Sequence, residues 1–174
     1  ATIVTRLTNS ELVLSHPEMT DLRIPLICQS KIKRQVKVWK SECQVIDEGE
    51  QASNWLTQVL GPFRQQQLSL VRMARDFQRM VSKNHIDTDN STLFADGYPF
   101  LITNMASLDE LNHRLVSQGE DAVPMFRFRA NIVVTGAESF VENRSRLMAV
   151  KSNSELIEFE LCKPCERCKV TSID

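Results

Sequence analysis

The stretch Met125-Phe126-Arg127-Phe128-Arg129-Ala130-Asn131-Ile132-Val133-Val134 is the most strand-like run in the chain. It mixes aromatic and β-branched residues, is closed by Gly136, and predicts a β-rich second half. In a strand, residues two apart share a face. Arg127, Arg129 and Asn131 are then expected on one side, opposite Phe126, Phe128 and Ala130. An arginine fork suits phosphate oxygens, and asparagine supplies both a donor and an acceptor. The plain alternative is a solvated polar edge, although the polar set leads straight into the apolar run that ends at Val134.

Upstream of this run the period changes to that of a helix. Ser107 opens it, with Glu110 three residues on as a capping box, and Leu108, Leu111 and Leu115 carry its apolar face to about residue 117. Gly119 and the acidic pair after it end the helix. Pro99 to Thr103 reads as a short apolar strand entered through the turn Phe94-Ala95-Asp96-Gly97-Tyr98. Such a turn can present backbone N–H groups to a ligand, but alone it is only a turn. Residues 74–95 are polar and read as a long loop, a length at which loops are often functional. Downstream, Glu155 to Leu161 alternates as a last clear strand, followed by a Cys/Pro turn and the strand-like Val170 to Ile173.

The first half is plainer. Ala1 to Leu7, Glu11 to Ser15 and Leu22 to Leu26 are short Leu/Val/Ile runs split by Asn9-Ser10 and Pro17, a meander of antiparallel hairpins. Gln35 to Trp39 alternates, and Cys43 to Ile46 extends that edge. Ala52, Trp55, Leu56, Val59 and Leu60 then fall at helical spacing over residues 50–60. Gly61-Pro62 stops this helix, and Gln67 to Met73 returns to strand character. Strands with two helices make a mixed α+β chain, with an antiparallel N-terminal β/α region.

Composition narrows the function classes. The chain has 174 residues, 42% of them hydrophobic and 25% charged, with a formal net charge of -1. That is ordinary globular composition, and it does not suggest a nucleic-acid surface. No apolar run approaches the roughly 18 residues of a membrane-spanning helix. The chain starts at Ala1 and stops at Asp174 just after an apolar run, so a fragment or processed chain is expected.

Five cysteines stand at 28, 43, 162, 165 and 168. An odd count with three crowded into seven residues points away from a secreted disulfide framework and towards an intracellular reducing compartment, cytoplasmic or mitochondrial. Cys28 and Cys43 read as inert thiols. Cys162-Lys163-Pro164-Cys165-Glu166-Arg167-Cys168 carries the strongest local chemistry, because thiolates two apart in a turn can converge on a soft metal. Structural zinc wants a fourth ligand, and His16, His85 and His113 are distant in sequence. A four-iron cluster wants a fourth cysteine. A single thiolate poised at the end of a strand, for a cofactor metal or for sulfur chemistry, and reduced cysteines in a plain turn stay open beside them. Arg167 beside Cys168 favours the thiolate form.

Taken in order, the turn Asp96-Gly97-Tyr98-Pro99-Phe100-Leu101-Ile102, the helix Ala106-Ser107-Leu108-Asp109-Glu110-Leu111-Asn112, the run Arg127 to Val134 and the turn Pro164-Cys165-Glu166-Arg167-Cys168 resemble a MOSC-domain protein. This family is named for the C-terminal domain of molybdenum cofactor sulfurase. The resemblance is nearest to the branch of the mitochondrial amidoxime reducing component and its bacterial relatives. It implies an N-terminal β-barrel-like domain over residues 1–93, packed on a partial MOSC β-barrel over 94–174 whose last strands lie beyond Asp174.

The resemblance further implies a molybdenum–molybdopterin cofactor. Cys168 matches the family's thiolate ligand to the metal, and Asp96 lies beside that metal, so these two are the candidate catalytic residues. Gly97, Tyr98, Arg129, Asn131, Glu166 and Arg167 match cofactor-binding positions. Ala130 replaces the Pro commonest between the Arg and Asn, as in the sulfurase branch. The implied activity is reduction of small N-oxygenated substrates with electrons from a partner protein of cytochrome b5 type or a flavin/iron-sulfur reductase. The alternative is the C-terminal domain of a cofactor sulfurase working with a pyridoxal-phosphate domain. A sulfur carrier with a persulfide on Cys165 or Cys168, or an inactive fragment, completes the set.

Overall fold

The computed structural model describes residues 3–86, 89–152, 155–166 and 171. The chain divides into two units, 1–79 and 80–174.

The first unit carries two antiparallel sheets and one helix. Strands β1 (Val4–Leu7), β2 (Glu11–His16) and β3 (Met19–Pro25) form a meander in sequence order. Strands β4 (Lys33–Val38) and β5 (Ser41–Asp47) form a hairpin, and β6 (Val71–Met73) adds to the far edge of β5. Between β5 and β6 runs helix α1 (Glu50–Leu60).

Alternation decides which side chains meet. Leu14 of β2 and Leu22 and Ile24 of β3 point to one face, where they bury against Ala52 and Trp55 of α1. The Trp55 indole N–H donates to the Thr20 carbonyl at 2.7 Å, so its polar edge is satisfied inside the cluster. Each of the Leu and Ile side chains contributes about 1.5–3 kcal/mol by leaving water. A second cluster holds Cys43, Val45 and Met73 with Val36 and Val38 of β4. Leu60, expected on the apolar face of α1, is exposed instead. It is the last residue before Gly61, whose φ of 79° turns the chain away.

Only the end of the expected strand over residues 67–73 forms a ladder. Thr57 Oγ1 accepts from the Leu68 N–H at 2.9 Å, and the Ser53 hydroxyl donates to the Leu68 carbonyl. These bonds to α1 take the backbone groups a strand neighbour would have used, and pairing starts at Val71.

The long loop expected over 74–95 runs from the end of the first unit into the second and, among its described residues, carries the short pairing of β7 (Arg79–Met80) with β8 (Ser91–Thr92). Strand β9 (Ile102–Asn104) leads directly into helix α2 (Met105–Ser117). The chain returns as β10 (Ile132–Val134), parallel to β9 with Ile132 opposite Ile102. Strands β11 (Leu147–Ser152) and β12 (Glu155–Glu160) then form an antiparallel pair. The chain is β-rich with two helices and several small sheets, and no sheet closes into a barrel among the described residues.

Two expectations need correction here. Residues 125–131 are not strand. Met125–Phe128 is a single 3-10 turn, and Arg129 follows in the left-handed region at φ 52°. The cause is the shortness of β9, which offers a parallel neighbour to three residues only. Upstream of these, the backbone satisfies itself locally, Arg127 N–H to the Pro124 carbonyl and Arg129 N–H to that of Phe126. Arg127, Arg129 and Asn131 therefore share no strand face.

Helix α2 begins two residues before Ser107. Asn104 caps it, its side-chain oxygen accepting from the Ala106 N–H at 3.1 Å. Ser107 does not make the expected capping box. Its hydroxyl donates to Glu142 Oε1 at 2.6 Å and accepts from the Phe140 N–H at 2.7 Å, and Glu110 pairs with Arg114. The expected strand Val170 to Ile173 falls almost wholly outside the described residues.

Candidate functional site

The site lies within the second unit, where the mouths of β9 and β10 meet the segment after β12. Asn131 makes the first connection. Its side-chain oxygen accepts from the Leu101 N–H, and its own N–H donates to the Leu101 carbonyl, both at 2.9 Å. The Asp96–Leu101 turn is thus bonded to the entry of β10 through both backbone groups of one residue. The second connection is aromatic. Phe100 meets Phe159 of β12 edge-on, with ring centroids 5.9 Å apart. The Leu161 N–H donates to the Arg146 carbonyl at 2.9 Å and carries the β11–β12 pairing one step towards Cys162.

These contacts bring Tyr98 to the cysteine segment. The Tyr98 hydroxyl is buried and has no hydrogen-bond partner among the described residues. Burial pushes its pKa up, the nearby Cys162 adds to the rise, and Lys163 opposes it. The Cys162 thiol is likewise pushed up, first by burial and then by Glu160. It donates to the Glu160 carbonyl at 3.5 Å. Both groups are therefore proton-bearing at neutral pH. A buried hydroxyl without an acceptor is the unsatisfied donor that a bound anion or polar ligand would complete.

The other candidate residues are placed as follows. Asp96 and Gly97 are exposed in the turn, and a side chain at Gly97 would meet nothing within 4 Å, so neither close packing nor a positive φ demands glycine there. Arg129 is exposed at the end of its 3-10 turn. Glu166 is exposed, with its carboxylate 3.6 Å from Lys163 Nζ, and the exposed Cys165 thiol donates to the Glu166 carbonyl. Arg167 and Cys168 lie outside the described residues. Among the described residues no three His, Cys, Asp or Glu side chains converge as a metal-holding group. The structure therefore brings Tyr98 to Cys162 and Lys163, and ties Asn131 to Leu101 three residues after Tyr98.

Cys162 and Lys163 escaped the sequence reading as site residues. A signal was present: Cys162-x-x-Cys165 repeats the spacing of Cys165-x-x-Cys168 one step earlier. The group suits an anionic ligand with a soft centre, since Tyr98 offers a phenol and Lys163 an ammonium donor beside the Cys162 thiol.

Comparison with known proteins bears on the same residues. The family model described as the MOSC domain matches residues 89–174, and that of the MOSC N-terminal beta barrel domain matches 1–62. Molybdenum cofactor sulfurase of Bos taurus is 29% identical over 185 residues, covering 94% of this chain and 19% of that protein. Mitochondrial amidoxime-reducing component 1 of Xenopus laevis is 30% identical, covering 94% of this chain and 46% of its own length. Mitochondrial amidoxime reducing component 2 of Homo sapiens is 28% identical, covering 95% and 48%. The chain thus spans about a fifth of the sulfurase and just under half of the reducing components. With the two family models together matching all but residues 63–88, and with relatives of both branches aligned along nearly its whole length, the chain belongs to the MOSC family.

Proposed function

We propose that this chain is the cofactor-holding part of a molybdenum oxidoreductase that reduces N-hydroxylated substrates, with its N-terminal domain over residues 1–93 and its MOSC domain over 94–174. The observation that supports this most is the buried, partnerless Tyr98 hydroxyl beside Cys162 and Lys163, in the segment matched by the MOSC model. In this reading Cys168 is the thiolate ligand to molybdenum and Asp96 lies beside the metal. Gly97, Tyr98, Arg129, Asn131, Glu166 and Arg167 hold the pterin and its phosphate. The bound cofactor supplies the redox chemistry, with electrons from a partner of cytochrome b5 type or a flavin/iron-sulfur reductase.

The chain's own residues bind and orient. Tyr98, protonated at neutral pH, donates a hydrogen bond from its hydroxyl to an acceptor on the ligand. Asn131 has its oxygen committed to Leu101 and keeps its amide nitrogen for the ligand. Arg129 and Lys163 offset negative charge.

The test is metal analysis with pterin fluorescence on the purified protein. Stoichiometric molybdenum with pterin supports the reading, and zinc overturns it. Arg129→Ala should release cofactor, since charge-assisted hydrogen bonds to phosphate contribute about 1.5–3 kcal/mol each. Wild-type retention would remove Arg129 from the anchor. Cys168→Ser should abolish reduction of an N-hydroxylated substrate, whereas Cys162→Ser should do little. Equal losses would favour a shared three-thiolate metal site.

A second reading rests on the sulfurase similarity and on Ala130. There the chain presents the cofactor to a pyridoxal-phosphate domain that performs sulfur transfer. Pyridoxal-phosphate absorbance in the intact protein separates the two.

A further inference from the structure

The β4–β5 hairpin is unlike the rest of the surface. From Lys31 to Ser41 the chain reads Lys-Ile-Lys-Arg-Gln-Val-Lys-Val-Trp-Lys-Ser, five basic residues and no acidic one, in a protein of net charge -1. Strand alternation turns Val36 and Val38 inward to the Cys43–Val45–Met73 cluster, and Lys37 is exposed on the outer face. Lys33 is salt-bridged to Asp76 at 3.1 Å and Arg34 to Asp47 at 2.7 Å. Lys37 stands opposite Glu42 in the ladder. Lys31, before the base of the hairpin, and Lys40, in its tip, have no ion pair among the described residues.

The tip itself is a two-residue turn, because Val38 pairs with Ser41. Its first residue is Trp39, at φ 55° and 74% exposed. A left-handed φ at a hairpin turn favours Gly, Asn or Asp, and a bulky aromatic there is an outlier. The fold thus holds an indole out into solvent between Lys37 and Lys40.

We propose that this tip docks on an anionic lipid surface, with the Trp39 ring at headgroup depth and Lys37 and Lys40 against the lipid phosphates. Two features select a bilayer over an acidic protein. The basic set is four lysines to one arginine, and lysine is depleted at protein interfaces but effective against a charged membrane. The single large apolar group is a tryptophan, the residue that settles at membrane–water interfaces. The inference is independent of the cofactor reading, since every residue it uses lies in the first unit.

The two tryptophans make the test direct. Trp55 is buried and hydrogen-bonded, so a change in emission on binding reports Trp39. The 174-residue chain is mixed with phosphatidylcholine vesicles with or without phosphatidylserine, and sedimentation and tryptophan emission are followed. The expected result is binding only with phosphatidylserine, reversal by salt, and a blue shift that Trp39→Ser removes. Lys37→Gln and Lys40→Gln should each weaken binding roughly fivefold, which corresponds to about 1 kcal/mol per basic residue at the surface. Gln is chosen because Glu at position 37 would repel Glu42. Failure to bind phosphatidylserine vesicles overturns the proposal, as does binding that both lysine variants retain. Binding that polyglutamate displaces, with no blue shift, assigns the tip to an acidic protein surface and overturns it equally.

Discussion

The two units are held together by different physics. Of thirteen buried apolar side chains among the described residues, the first unit holds ten, from Val13 to Ala74, and the second only Val81, Ile86 and Leu108. The second unit instead closes around a polar group. Asn104, 1% exposed, caps α2 and donates its amide to the Glu138 carbonyl at 2.7 Å and to Glu142. Glu142 also accepts from Ser107, which holds the Phe140 N–H. Apolar burial tolerates small shifts, whereas a buried hydrogen-bond network fails when one member is lost. The candidate site therefore sits in the unit whose order depends on few groups, the usual location of ligand-responsive segments.

The contrast is broken most directly by Trp55→Ala. It removes the centre of the first cluster and leaves the Thr20 carbonyl without its donor, at a cost of about 3–5 kcal/mol. Limited proteolysis should then cut within residues 3–79 and spare the second unit. Cuts spread evenly over both would show that the units do not unfold separately. Asn104→Ala is expected to cost the second unit about 2–3 kcal/mol, through a lost cap and stranded partners. Tyr98, the sole tyrosine, reports that transition, while both tryptophans report the first unit. A larger loss in the tryptophan signal would reverse the contrast.

The smallest effect is on pH. Cys162 and Tyr98 both have folded pKa values raised by burial, so the folded state keeps protons that the unfolded state gives up. Their contribution is complete below the ordinary thiol range of about 8.5 and is lost as pH rises through the higher folded values. The denaturation midpoint read from Tyr98 should fall on the alkaline side, and less steeply in Cys162→Ser. Iodoacetamide at neutral pH should label the exposed Cys165 before Cys162. The reverse order would contradict the burial of Cys162.

The sequence was most readable where packing follows periodicity. Helix α1 spans the residues its apolar spacing indicated, and β1–β5 form the expected antiparallel hairpins, with β2, β3 and β5 each burying one face. Residues 125–131 misled because aromatic and basic alternation imitates a strand, while the missing element was a neighbour long enough to pair with it. Strand β11 went unforeseen for the opposite reason. Leu147 and Val150 are both exposed, so burial imposes no alternation on it. The candidate site was legible in the order of its motifs. The Tyr98–Cys162 proximity was not, because it depends on Phe100 reaching Phe159 across sixty residues of chain.

The parallel pairing of β9 with β10 has a kinetic consequence. The Val38–Ser41 turn closes a hairpin over two residues, a microsecond event, but Ile102 can meet Ile132 only after a crossover of about thirty residues has formed. Leu101 and Asn131 wait on that same closure, so the turn that carries Tyr98 is fixed late. During synthesis the N-terminal hairpins emerge first and can close while the crossover is still being made. A ligand seated at the Tyr98 turn would then meet a finished first unit and an unfinished second one, and its arrival would act as the last step of folding.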